Sequence, residues 1–180
     1  MKCRIWISMT VCLLQACSAG HAVSGDRPLP LQMADISATN RFGVVITTGK
    51  ATVTGVMVAK YIDRVWKGAL VNEFGVKIFD FISSPQACTL LNVVSFIDRR
   101  HVKKTIAADL RFLFEIDHPE YPPYRKAKRR IRQDTLEITC RSTTALRFAD
   151  GNIRLENKKR GIVYLFTPLN DQKRNVSTDE

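Results

Sequence analysis

The distribution of turn signals constrains the fold of this chain more than any other feature. Short segments rich in β-branched and aromatic residues, bounded by glycine, proline, asparagine or aspartate, lie on both sides of a single helical pattern. Such segments favour strands, and the close spacing of the turns favours antiparallel neighbours. The sequence shows no βαβ alternation and no internal repeat. We therefore predict an α+β fold, mainly β, in which a curved antiparallel sheet forms an open half-barrel with a helical lid or plug.

The predicted strands form two groups separated by one helix. Residues 101–115 carry apolar side chains at helical spacing, with Asp98 predicted as the N-cap and Asp109 on the polar side. Pro119 and the prolines after it cannot continue this helix. The strands are predicted at residues 44–48, 51–62, 64–72, 76–82 and 88–96 before the helix, and at 135–141, 145–148, 153–155 and 162–167 after it.

The beginning of the chain has the pattern of an export signal. A short positive start precedes residues 5–14, an apolar run of about ten residues, which is half the length that spans a bilayer as a helix. Residues 14–17 read Leu-Gln-Ala-Cys and resemble the bacterial lipobox, which implies cleavage before Cys17 and lipidation of its thiol. An ordinary signal peptide cut near Ala19 or Ala22 is the alternative.

Lipidation of Cys17 predicts a membrane-anchored protein. Several acyl chains give a stable anchor, because each buried methylene contributes about 0.8 kcal/mol. Ser18 follows the cysteine, and the absence of aspartate there resembles the signal that sends lipoproteins to the outer membrane. We therefore predict a protein on the periplasmic face of the outer membrane. It would have a signal peptide at 1–16, a lipidated cysteine and flexible tether at 17–40, one domain at 41–170 and a polar tail at 171–180.

The positive charge of the chain then points to the membrane. The formal net charge is +11, which in a cytoplasmic protein would suggest nucleic acid; loss of Lys2 and Arg4 with the signal lowers it to +9. Outside the cytoplasm, the available anions are lipid headgroups, lipopolysaccharide phosphates and acidic partners. Residues 125–132 carry six basic side chains, which are either a solvated loop or an anionic contact site. The predicted contacts are Arg125, Lys126, Lys128, Arg129, Arg130 and Arg132.

The remaining cysteines and histidines do not predict chemistry. Cys88 and Cys140 lie in predicted strands, where they either form a disulfide or remain as two buried free thiols. The sequence contains no Cys-x-x-Cys, no histidine pair at metal spacing and no Gly-x-Ser-x-Gly, and no carboxylate pair stands out. We therefore expect no metal, no cofactor and no enzymatic activity, with an envelope hydrolase as the most distant alternative.

One turn resembles a known family of lipoprotein-handling proteins. Residues 64–72 and 76–82 form a hairpin joined at 72–75, which reads Asn-Glu-Phe-Gly. Together with the anchor, this pattern resembles the LolA/LolB half-barrel family, and in it the LolB-like outer-membrane lipoprotein receptors. A strand of that family ends in an Asn-Pro-Leu-Gly-type turn. Phe74 stands at the place of the leucine and Gly75 matches the glycine, whereas glutamate replaces the proline.

The resemblance implies a function and a set of site residues. In the family, the exposed apolar residue of the turn is implicated in delivering lipoproteins into the membrane, so Phe74 and Gly75 would form a membrane-insertion loop; the alternative is that Phe74 folds back on the core. The partners implied are acylated lipoproteins and a periplasmic carrier, with the protein itself a monomer. An apolar cavity for acyl chains is predicted to be lined by Val56, Val58, Phe79, Phe81 and Ile106.

A second hypothesis from the same observations is a binding or scaffolding protein. An anchored β domain without covalent chemistry could use its basic face to hold another envelope component or lipopolysaccharide. Phosphate-bearing or acidic partners would then contact residues 125–132.

Overall fold

A computed structural model describes residues 34–49, 51–116, 118 and 123–169 of the chain. The predicted signal peptide, the lipidated Cys17 and the polar tail at 171–180 lie outside these residues. The described elements are β1 (Thr39–Thr47), β2 (Thr52–Ile62), β3 (Val65–Asn72), β4 (Lys77–Ser83), β5 (Cys88–Leu91), α1 (Arg100–Glu115), β6 (Lys128–Arg132), β7 (Thr135–Cys140), β8 (Thr143–Phe148), β9 (Ile153–Asn157) and β10 (Ile162–Pro168).

The strands form one antiparallel sheet of ten strands in the order β5-β4-β3-β2-β1-β10-β9-β8-β7-β6. Each predicted group of strands is a meander of neighbouring hairpins, and the pairing of β1 with β10 joins the two groups. Strands β5 and β6 are the edges of the sheet and are not paired with each other, so the sheet is open. The prediction of a mainly β, α+β protein with an antiparallel sheet is confirmed.

The sheet wraps around α1. Near the middle of the helix, the carboxylate of Asp109 accepts hydrogen bonds from Asn157 on β9 and Tyr164 on β10. Near its end, Glu115 accepts one from Ser83 on β4. These two helix positions lie about 9 Å apart along the axis. Strands β4 and β9 are separated by four intervening strands, which amounts to about 24 Å in a flat sheet. Both can reach one short stretch of helix only because the sheet curves around it.

The inner face of β2 is the opposite of the one that we predicted. Met57 and Ala59 are fully buried, whereas Val56 is 38% exposed and Val58 is half-buried on the other face. Because side chains alternate along a strand, the inward-facing residues are Met57 and Ala59, and the assignment of Val56 and Val58 to an inner cavity was wrong. The run of valines and alanine in β2 gave no clear alternation from which to choose the face.

Aromatic residues fill the space between α1 and the first group of strands. The ring of Phe114 stacks on Phe81 at 5.1 Å and lies 5.2 Å from Trp66. Gly68 makes room for Phe81, because a Cβ at Gly68 would come within 2.5 Å of that ring. Phe79 is also buried. The predicted cavity residues Phe79, Phe81 and Ile106 therefore belong to a packed core beneath α1 rather than to the wall of an open space.

Three predictions for the helix start, for β5 and for the basic residues 125–132 also change. The N-cap of α1 is Arg99, without a side-chain capping hydrogen bond, so the assignment of Asp98 was wrong. The Asp98 amide instead donates to the Val94 carbonyl in a turn that delays the start of the helix, and its carboxylate pairs with Lys103 at 2.5 Å. Strand β5 is shorter than predicted and ends at Leu91. The basic run is not simply a loop, since its last five residues form the edge strand β6.

Cys88 and Cys140 are free thiols, so of the two alternatives the disulfide is excluded. Their strands β5 and β7 lie at positions one and nine of the sheet order, with no direct pairing between them. Within the described residues, no helix has the length and apolar character needed to cross a membrane.

Candidate functional site

The hairpin turn between β3 and β4 holds Phe74 out in solvent. The side-chain oxygen of Asn72 accepts hydrogen bonds from the backbone amides of Phe74, at 3.0 Å, and Val76, at 2.8 Å. Gly75 has a φ of 79°, a conformation that favours glycine, and its amide donates to the Asn72 carbonyl. The backbone of the turn is therefore fixed, while the Phe74 side chain is 81% exposed and does not fold back on the core.

Two further apolar side chains lie near this turn. Val76, at the foot of the turn, is 53% exposed. The amide of Val94 donates to the carbonyl of Ile78 at the start of β4, which places the segment before α1 next to the hairpin. Phe96 in that segment is 62% exposed. Sequence reasoning missed Phe96, because contacts made in the fold bring residues 92–99 next to the hairpin: the Val94–Ile78 hydrogen bond and one from the Asn92 side chain to Asp80.

The strand register brings four turns to one end of the sheet. Neighbouring strands are antiparallel, so every second turn along each group of strands lies at the same end of the sheet. The β1–β2 turn, beside the pair Thr47–Thr52, therefore lies at the same end as the β3–β4, β7–β8 and β9–β10 turns. We call this end the Phe74 end. It comprises the turns at 48–49 and 51, 73–76, 141–142 and 158–161, together with residues 92–100 before and at the start of α1 and residues 125–128 before and at the start of β6.

Charge is segregated between the two ends of the sheet. The Phe74 end carries many basic side chains and, among the described residues, the acidic Glu73 and Asp98. The opposite end contains the turns with Asp63, Asp134 and Asp150, where fewer basic residues lie, among them Arg64 and Arg132. The basic residues of the Phe74 end are Arg99, Arg100, Arg125, Lys126, Lys128, Arg141, Lys158, Lys159 and Arg160. The Phe74 end therefore combines exposed apolar side chains with a positive surface.

The predicted anionic contact at residues 125–132 is not one continuous patch. Arg125, Lys126 and Lys128 lie at the Phe74 end, whereas Arg132 lies at the opposite end, paired with Thr135. Lys128, Arg130 and Arg132 alternate onto the outer face of the edge strand. Arg129 points to the inner side, where its guanidinium donates to the Ile116 carbonyl at 3.2 Å. The six basic residues are therefore divided: strand alternation separates Arg129 from its neighbours on β6, and the length of β6 separates Lys128 from Arg132.

A buried polar cluster attaches α1 to the second group of strands. Asp109 is 1% exposed, so its placement on the polar side of the helix was wrong. Its oxygens accept hydrogen bonds of 2.8 Å from the Asn157 amide and from the Tyr164 hydroxyl. Burial raises the pKa of Asp109, and the two hydrogen bonds partly offset that rise. Burial and the nearby carboxylate raise the pKa of Tyr164 well above its ordinary value.

A second buried cluster attaches the end of α1 to β4. The hydroxyl of Ser83 donates to one oxygen of Glu115 at 3.0 Å, and the other oxygen has no partner among the described residues. Burial raises the pKa of Glu115, although Ser83 and Arg111 oppose this shift. Burial also raises the pKa of the neighbouring Cys88 thiol to about 12. These groups are shielded inside the fold, which suits a structural role rather than a reactive one.

The described residues show no cluster of histidine, cysteine, aspartate and glutamate that could hold a metal ion. His118 is buried, and its Nε2 lies 3.2 Å from the Tyr61 hydroxyl. His101 is exposed in the first turn of α1. The two histidines are therefore in different surroundings and do not form a joint site.

No known protein family matches this sequence, and no curated protein matches it. Its function has to be inferred from the geometry and chemistry of the described residues.

Proposed function

We propose that this chain is a lipid-anchored outer-membrane protein that accepts acylated lipoproteins from a periplasmic carrier and helps to insert them into the outer membrane. In this proposal it acts without covalent chemistry, in the manner of the LolB-like receptors of the half-barrel family. The observation that carries the proposal is Phe74, which is 81% exposed on a turn whose backbone is fixed by Asn72 and Gly75.

The Phe74 end has the chemistry of a surface that docks reversibly on a membrane. Moving one phenylalanine side chain from water into an apolar surrounding is worth about 1.5–3 kcal/mol. Each basic side chain close to an anionic leaflet adds about 1 kcal/mol. Phe74 and Phe96 would enter the interface, and Arg99 and Lys158 are among the cations that would approach the headgroups. These contributions orient an anchored domain without inserting it permanently.

The acyl chain of a client would enter between α1 and the curved sheet. In this proposal the sheet is a half-barrel and α1 is its lid, attached by the two polar clusters at Asp109 and Glu115. Displacement of α1 would expose Phe79 and Phe81 on β4, which then line an apolar groove, and Ile106 would contact the acyl chain from the displaced helix. A receptor must bind the acyl chain only slightly more tightly than the carrier does and less tightly than the bilayer does. Competition from α1 for the same groove would weaken the binding of the acyl chain to this protein.

The position of the anchor is compatible with this orientation. Strand β1 begins at Thr39, at the end of the sheet opposite to Phe74. The roughly 20 residues between Cys17 and Thr39 have a fully extended length of about 70 Å. Strand β2, the longest of the sheet with 11 residues, is about 37 Å long. A chain anchored through Cys17 can therefore present either end of the domain to the membrane.

The second candidate function is an envelope scaffold or lipopolysaccharide-binding lipoprotein that acts through the basic residues. The segregation of charge toward the Phe74 end favours it. This candidate needs the cations at that end but neither an exposed aromatic side chain nor a movable helix.

Transfer of a labelled lipoprotein from its carrier to this protein, and then to vesicles, tests the proposal. We expect wild type to accept the client and the Phe74→Glu variant to accept it equally well but to deliver it to vesicles at least about tenfold more slowly, because a buried carboxylate is costly in the interface. Ile131→Glu is the matched control, since Ile131 is 64% exposed on the edge strand and outside the hairpin. Absence of transfer by wild type, or unchanged delivery by Phe74→Glu, would contradict the proposal.

A further inference from the structure

We propose that a cavity between α1 and the second group of strands binds a ligand that carries a phosphate group beside an apolar portion. The cavity has a volume of about 870 Å³, within the range of about 300–1,000 Å³ that small-molecule sites occupy. It is bordered by the middle of α1, the segment before β6, the β7–β8 turn and the end of β9. The site is separate from the Phe74 hairpin and does not rest on the function proposed above.

The cavity has an excess of positive charge. Four cationic side chains line it, namely those of Arg111, Arg125, Lys126 and Arg141. Within the described part of the chain, none of the four pairs with a carboxylate. The acidic residue in the lining is Asp109, whose two oxygens are already occupied by Asn157 and Tyr164. An anion in the cavity would therefore meet Arg125, Lys126 and Arg141, together with Arg111, whose charge also acts on the nearby Glu115. The carboxylate in the lining already has both of its oxygens engaged.

The cations come from different elements; the guanidinium of Arg111 is held in place, and Arg141 is held through the backbone of its turn. Arg111 on α1 donates to the Pro85 carbonyl, and its guanidinium lies 5.8 Å from the centre of the Tyr124 ring. Arg141 sits in the β7–β8 turn with a φ of 55°. The next residue, Ser142, is fixed by a hydrogen bond of 2.9 Å from the Lys158 amide to its carbonyl. Fixed donors lose little conformational entropy when they bind a phosphate.

One wall of the cavity is apolar, which indicates more than a free inorganic anion. The rings of Phe112 and Tyr124 pack edge to face with centroids 5.0 Å apart, and Ala108 and Pro123 continue this wall. Ser142 and Thr143 lie on the other side. Guanidinium and ammonium groups beside an apolar wall fit a phosphate ester with a hydrocarbon portion. Such an ester is either the headgroup of a lipid or a soluble phosphate ester.

Titration calorimetry with three probes tests this site. The protein would be the chain from Cys17 onward, made in the cytoplasm so that the cysteine carries no lipid. The probes are lysophosphatidic acid below its micelle concentration, monoacylglycerol as its uncharged counterpart, and glycerol 3-phosphate as its counterpart without a tail. We expect lysophosphatidic acid to bind and monoacylglycerol to bind at least about tenfold more weakly. Weaker binding of glycerol 3-phosphate would show that the hydrocarbon portion of the ligand contributes, and binding as tight as that of lysophosphatidic acid would overturn the assignment of an apolar portion.

Two double variants separate the cavity from general charge effects. Arg125→Gln/Lys126→Gln removes two cations from the lining, and we expect it to raise the Kd for lysophosphatidic acid at least about tenfold. Lys60→Gln/Arg132→Gln removes one lysine and one arginine that do not line the cavity, and its Kd should stay within about twofold of wild type. Equal losses in both double variants, or tight binding of monoacylglycerol, would overturn the proposal. The assay contains neither carrier nor vesicles, so its failure is distinct from a failure of lipoprotein transfer.

Discussion

At the scale of single residues, the sequence placed Phe74 in a turn but decided neither whether its side chain is exposed nor what holds the turn. Phe74 and Gly75 could be assigned to a turn because glycine follows an apolar residue between two β-rich segments. The two hydrogen bonds from backbone amides to the Asn72 side chain depend on the closed geometry of the turn. Asp109 could not be recognised as buried, because its partners Asn157 and Tyr164 lie about 50 residues further along the chain.

Replacing Glu115 by glutamine should change how stability depends on pH. Burial raises the folded-state pKa of Glu115 above its ordinary value of 4.5, so the folded protein binds this proton more tightly than the unfolded chain. The resulting stabilisation is complete below pH 4.5 and is lost as the pH rises through the folded-state pKa. We expect Glu115→Gln to be more stable than wild type at pH 7 by about 1 kcal/mol and equal to it near pH 4. Urea denaturation at both pH values measures this.

Glu156→Gln provides the comparison for that experiment, because Glu156 is a glutamate on β9 that is only half-buried. Its stability should follow that of wild type at both pH values. A Glu115→Gln variant that is less stable than wild type at pH 7 would contradict the role of burial described here.

At the scale of elements, the hairpins were predictable and the docking of α1 was not. Turn residues lie next to each other in sequence, so most strands could be placed to within a few residues, and the number of helices was confirmed among the described residues. The inner face of β2 depended on partners far away in the chain, whereas β6 was not predicted although its partner β7 follows directly in sequence. Strand β6 forms because residues 128–132 pair with β7, although nearly all of its side chains are charged.

Removing the Asp109 carboxylate should loosen α1. Asp109→Ala leaves the Asn157 amide and the buried Tyr164 hydroxyl without their acceptor, which should reduce the free energy of unfolding by about 2–4 kcal/mol. Lys104→Ala, a change at an exposed position of the same helix, should cost less than about 0.5 kcal/mol. Urea denaturation followed by circular dichroism compares the two variants. Equal stabilities would show that the Asp109 cluster does not attach α1 to the sheet.

At the scale of the whole molecule, the net charge does not show where the charged side chains lie in the fold. The formal charge of +11 indicated an anionic partner, but only the strand register shows that basic turns and exposed aromatic side chains share one end. Because neighbouring strands are antiparallel, alternate turns along the chain lie at opposite ends of the sheet. The Phe74 end is therefore a property of the fold that composition does not reveal.

Fluorescence of a Phe74→Trp variant is the most direct test that the Phe74 end enters a membrane. Phe74 is highly exposed, so a tryptophan there should emit as in water; Trp66 is 3% exposed and gives a constant background. We predict a blue shift on addition of anionic vesicles, which becomes smaller with neutral vesicles or at high salt because the basic residues no longer contribute. An Ile131→Trp variant should show no shift. Unchanged emission from Phe74→Trp, or an equal shift from Ile131→Trp, would contradict membrane docking through this hairpin.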